Sequence, residues 1–69
     1  MRHLIKRSFS LAGHRTSVAL EAAFWQALED IAAREARSLA GLVAAIDAVR
    51  DPEQPLASAL RLHALLHRR

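Results

Sequence analysis

The 69-residue chain contains no cysteine, which rules out disulfides and thiolate zinc sites. So short a chain buries little surface alone, so oligomerisation is the expected way to enlarge its core. The same absence fits a cytoplasmic protein. Tyrosine is also missing, and there is no Ser-His-acid arrangement of recognisable spacing and no phosphate loop. No enzyme, no cofactor and no metal are therefore expected. No apolar run approaches the ~20 residues of a membrane span. The segment Met1-Arg2-His3-Leu4-Ile5-Lys6-Arg7 lacks the apolar stretch of a signal peptide.

Acids are absent from residues 1–20, which carry Arg2, Lys6, Arg7 and Arg15. All seven acids lie in residues 21–53, and the tail returns to Arg61, Arg68 and Arg69. A basic leading segment ahead of an acidic body suggests one face for a polyanion and another that repels it. Lys6 and Arg7 are expected phosphate contacts within that leader.

His14-Arg15-Thr16-Ser17-Val18-Ala19-Leu20 alternates, placing Thr16, Val18 and Leu20 on one face and Arg15, Ser17 and Ala19 on the other. Residues 6–11 alternate too, and Ala12-Gly13 lies between the runs. Residues 6–20 fit a hairpin, or an ordered arm leading into one true strand. From Glu21 the period becomes 3.6, with Phe24, Leu28, Ile31 and Ala32 on one stripe of a first helix over about 21–35. Ser38 is a good N-cap for a second helix over about 38–50, carrying Leu39, Leu42, Val43, Ile46 and Val49. Asp51-Pro52-Glu53-Gln54-Pro55 ends it, and a third helix over about 56–67 carries Leu56, Leu60, Leu62, Leu65 and Leu66. The whole of 1–69 reads as one domain.

The row Arg15, Ser17, Ala19 suits a DNA major groove, which admits a two-stranded ribbon and meets its alternate side chains. The same strand from a second copy would supply the other half of the ribbon and bury both copies of Val18 and Leu20. Ser38 leaves backbone N–H groups that suit a phosphate, with Arg37 adjacent. His63 and His67 have the i, i+4 spacing of metal ligands, but no acid shares their helix, and they read as solvated tail histidines. Phe24 is expected in the core and Trp25 at a boundary with a wet indole N–H.

Thr16-Ser17-Val18-Ala19-Leu20-Glu21-Ala22-Ala23-Phe24-Trp25-Gln26-Ala27-Leu28, Ile31-Ala32-Ala33-Arg34-Glu35, Ser38-Leu39 and Ile46-Asp47 together resemble the small bacterial ribbon-helix-helix domain proteins. Lys6-Arg7-Ser8 through Gly13-His14-Arg15 is similar to that family's leader, and Ser58-Ala59-Leu60-Arg61 to its C-terminal signature. The resemblance implies a mainly α fold with a short N-terminal β-ribbon, an intertwined homodimer of the superfamily that includes the Arc and methionine repressors, and an additional C-terminal helix. It implies base contacts from Arg15, Ser17 and Ala19 and phosphate contacts from Arg37 and Ser38. Ala19 departs from the long polar residue common in such ribbons. The expected dimer core is Val18, Leu20, Phe24, Leu28, Ile31, Leu42, Val43 and Ile46. The function this implies is a DNA-binding transcriptional regulator, a repressor whose partners are double-stranded DNA and a second copy of itself. The alternative is a protein-interaction module such as an antitoxin, docking a partner through the third helix. A third reading makes Leu56 to Arg69 a membrane-surface helix.

Overall fold

A computed structural model describes residues 3–68. Strands β1 (Leu4–Leu11) and β2 (His14–Glu21) are followed by helices α1 (Ala22–Arg34), α2 (Leu39–Val49) and α3 (Leu56–His67). The strands pair antiparallel with each other, so the hairpin, and not the ordered arm, is what residues 4–21 form. Ala12 and Gly13 both have positive φ, 51° and 81°. That is the backbone of a two-residue type I′ turn, whose twist matches the strands it joins.

Directly opposed residues share a face. Ile5–Leu20, Arg7–Val18, Phe9–Thr16 and Leu11–His14 form one set of pairs, and Leu4–Glu21, Lys6–Ala19, Ser8–Ser17 and Ser10–Arg15 form the other. Phe9, Leu11, Val18 and Leu20 are buried, so the first set faces the helices. β2 runs into α1 without a loop, Glu21 being both the last strand residue and the helix N-cap. Its carboxylate accepts a hydrogen bond from Arg61 Nε at 3.0 Å, tying the start of α1 to α3.

α1 ends in a Schellman turn. Ala36 adopts φ 56°, its N–H donates to the Ala33 carbonyl, and the Arg37 N–H donates to that of Ala32. Ser38 then caps α2, its Oγ accepting from the Gly41 N–H at 3.0 Å. At the far end of α2, Arg50 donates to Asp47 and, at 2.6 Å, to the Gln54 carbonyl, drawing the connection to α3 into a compact turn.

Trp25, Leu20, Leu28, Ile31, Leu42, Leu60 and Val43 are the largest fully buried side chains. Two expectations change here. Of the two adjacent α1 aromatics, Trp25 is the one in the core: it is 2% exposed, its Nε1 donates to the Ile5 carbonyl at 2.7 Å, and the ring of Phe9, itself buried, lies 5.9 Å away. Phe24 is only partly buried, under the Arg61 guanidinium. The reason is the direction of the helical stripe: Trp25, Leu28, Ile31 and Ala32 point into the core, and Phe24, one residue back, is rotated by about 100° toward the rim beside α3.

The second change concerns what covers the core. Val18, Leu20, Leu28, Ile31, Leu42, Val43 and Ile46 are all buried within one copy of the chain. The cover expected from a second copy is supplied from within: β1 provides the other ribbon strand, and α3 contributes Ala59, Leu60 and Ala64 while packing on α1, α2 and β2.

Candidate nucleic-acid interface

The outward face of the hairpin is set by its two-residue turn. Closing at Ala12-Gly13 places Ser10 opposite Arg15, Ser8 opposite Ser17 and Lys6 opposite Ala19. Ser8 and Ser17 are joined through their hydroxyls at 3.0 Å. The face therefore carries a cation near each end on opposite strands, with hydroxyls between them. From Lys6 to Ser10 it runs about 13 Å at the usual strand rise. Glu21, at the base of the same face, is engaged by Arg61.

Arg15, Ser17 and Ala19 share this face as the alternation required, with Arg15 and Ser17 exposed and Ala19 half-buried. Lys6 joins them. Arg7 does not: it lies on the helical face, with Nη1 2.7 Å from Glu29 Oε2 and its guanidinium 5.1 Å from the centre of the Trp25 ring. Its neighbour-in-sequence position to Lys6 is what turns it away, since strand side chains alternate. Ser8 and Ser10 were missed as members of the face. The signal was available, because a two-residue turn at Ala12-Gly13 fixes every partner by counting outward.

Ser38 stands at the N-terminus of α2, its side chain occupied by the Gly41 N–H. Arg37 Nε lies 3.2 Å from Glu35 Oε1, so its charge is matched locally. Both Arg37 and Glu35 line a cavity of about 410 Å³ between α2 and α3 that also contains Val49, Leu62, His63 and Leu66.

The tail histidines are not simply solvated. The His63 and His67 rings stack at 4.0 Å, and His67 Nδ1 lies 3.0 Å from the His63 carbonyl oxygen. His63 Nε2 is buried and has no hydrogen-bond partner. Burial pushes the His63 imidazole below its ordinary 6.5, His67 adding to the effect, Glu35 opposing it and Arg37 adding to it. Among the described residues no three His, Cys, Asp or Glu side chains come together to hold a metal. Nor is any described helix long and apolar enough to cross a membrane.

A polar, cationic hairpin carried on three helices defines a small domain of the ribbon-and-helix class. The chain belongs to the ribbon-helix-helix domain family, whose sequence model matches residues 4–68. Members of that family are typically DNA-binding transcription regulators or antitoxins. The match begins with β1 and extends past the end of α3, so the first strand and the third helix are both part of the family's pattern. Neither the curated proteins nor the solved structures contain a match.

Proposed function

We propose that this protein is a DNA-binding transcriptional regulator, a cytoplasmic repressor without enzymatic activity that acts as a homodimer on a roughly palindromic operator. The observation that carries the reading is the outward face of the hairpin, with Lys6, Ser8 and Ser10 on one strand and Arg15 and Ser17 on the other. Two strands about 4.8 Å apart fit a major groove about 12 Å wide. Arg15 is positioned to bond a guanine edge, the serines to bond several bases, and the Ala19 methyl to touch thymine. Lys6 serves as a phosphate contact or a second reader. The N-terminus of α2 at Ser38 is a further phosphate contact, with Arg37 beside it, and this assignment rests on the family together with the helix end. Arg7, paired with Glu29, has no DNA role in the proposal.

Fluorescence anisotropy with genomic DNA fragments at two salt concentrations tests the reading. Affinity falls as salt rises, at a log–log slope of about −0.9 per phosphate neutralised. Arg15→Ala weakens binding to a selected site by about 5- to 150-fold, the value of a bidentate base contact, and leaves the circular dichroism unchanged. Binding that ignores salt, or an Arg15→Ala variant with full affinity, overturns it.

One observation favours the alternative, an antitoxin or other module that docks a partner protein through α3. Leu62, Leu65 and Leu66 form an exposed stripe on that helix. A membrane-surface role for α3 has less support, because its Ala59, Leu60 and Ala64 are already packed in the core.

A further inference from the structure

The centre of the outward hairpin face is a matched pair of hydroxyls. Ser8 and Ser17 are directly opposed, both are exposed, and their Oγ atoms are bonded at 3.0 Å, with either able to donate. Neither hydroxyl has another partner among the described residues. The register accounts for the contact. In a two-residue hairpin the pair flanking the turn, here Leu11–His14, is hydrogen-bonded, and bonded and non-bonded pairs then alternate along the ladder. Counting outward makes Ser8–Ser17 a non-bonded pair, in which Cα atoms approach to about 4.5 Å and side chains come closest. Even side chains as short as serine meet there.

An isolated serine has one proton and two lone pairs, so it suits a donor or an acceptor equally. A bonded pair is more selective. One proton is consumed between the two oxygens, which leaves a single outward donor on one serine and a free lone pair on the other, side by side. A donor beside an acceptor is what an Asn or Gln amide presents to adenine, whose major-groove edge carries the N7 acceptor next to the N6 amino donor. We infer that the Ser8–Ser17 pair reads adenine as one unit. Ser8 donates to Ser17, Ser17 donates to N7, and the adenine N6 amino group donates to Ser8 Oγ, closing a ring in which both hydroxyl protons are used. The same ring forms with the serines exchanged. Guanine presents two acceptors, N7 and O6, and the pair meets both only by breaking its own bond. Cytosine and thymine each offer one polar partner. Arg15, two residues from Ser17, lies about 7 Å along β2, so the adenine falls within about two base-pair steps of the guanine assigned to Arg15. The inference rests on the reading of this face as DNA-binding and adds the base that its centre selects.

Selection from a randomised duplex pool, followed by anisotropy on the selected site, tests the pair. The wild-type chain selects an adenine within about two base pairs of a guanine that Arg15→Ala ceases to select, and replacing that adenine with guanine weakens binding by about fivefold or more. 7-Deazaadenine, which lacks the N7 acceptor, weakens it to a similar extent. Ser8→Ala and Ser17→Ala each reduce the preference for adenine over guanine to about twofold or less, and the double variant goes no further, because the two residues act together. Ser8→Thr keeps the hydroxyl and with it the preference. Circular dichroism and the choice of the Arg15-dependent guanine are unchanged in all three serine variants. A selected site without the adenine, tolerance of 7-deazaadenine, or single effects that add as independent contacts do overturns the inference. Where the Arg15-dependent guanine is still selected, those results refute the serine pair alone, whereas a chain that binds no DNA overturns both the pair and the proposed function.

Discussion

Replacing Trp25 with phenylalanine tests how the hairpin is held to the helices. The indole is almost fully buried, donates to the Ile5 carbonyl at 2.7 Å, lies 5.9 Å from Phe9 and supports the Arg7 guanidinium at 5.1 Å. Losing the hydrogen bond costs about 1 kcal/mol, moderated because Ile5 is itself open to water. The smaller ring leaves about 40 Å² of apolar contact unmade, about 1 kcal/mol, and a small void and weaker cation attraction add up to about 1 kcal/mol more. The expected loss is about 2–3 kcal/mol, or roughly 10–20 °C in Tm for a domain this size. Phe24→Leu, at a partly buried position, costs less than about 1 kcal/mol. Both are read by urea and thermal unfolding followed by circular dichroism. In the wild-type protein the sole tryptophan gives blue-shifted fluorescence that moves red on unfolding. A Phe24→Leu variant as unstable as Trp25→Phe, or a red-shifted native spectrum, refutes the packing described.

The remaining predictions concern turns, caps and pH. Ser38→Ala removes the acceptor for the Gly41 N–H and destabilises the fold by about 1 kcal/mol in denaturant titration. Ala12→Asn creates the Asn-Gly pair preferred in type I′ turns at a residue now held at φ 51°, and raises stability by about 0.5–1 kcal/mol in the same assay. His63 is held below its ordinary 6.5 in the folded chain, so the unfolded chain takes up that proton first. Stability is therefore full above 6.5 and declines as pH falls from there until the folded imidazole protonates. His63→Gln flattens that part of the pH–stability curve, and a curve unchanged by the substitution refutes the assignment.

Alternation and the change of period made the order of elements legible, because strand and helix spacing are local. Ser38 and the two prolines marked the second and third helices for the same reason. The direction of the α1 stripe was less legible: Phe24 and Trp25 fit adjacent positions on the helix, and only the placement of the hairpin and α3 decides which ring goes inward. The outward face was half-read. Arg15 and Ser17 follow from β2 alone, whereas Ser8 and Ser10 need the pairing register, and Arg7 was assigned by charge when strand parity turns it toward Glu29. The source of the core's cover was the least legible, since sequence patterns show which face is apolar and not which chain covers it.

The two-residue turn at Ala12-Gly13 has a consequence for dilute protein. A ribbon shared between two chains exists only in the fraction of molecules that are associated, and it vanishes as concentration falls below the dissociation constant. Here both strands and the turn lie within eighteen consecutive residues of a single chain, so each copy carries a finished face of Lys6, Ser8, Arg15 and Ser17. A few copies in a cell would present the same surface as a concentrated solution. Association would then determine how many such faces act together, and the existence of the face would not depend on it.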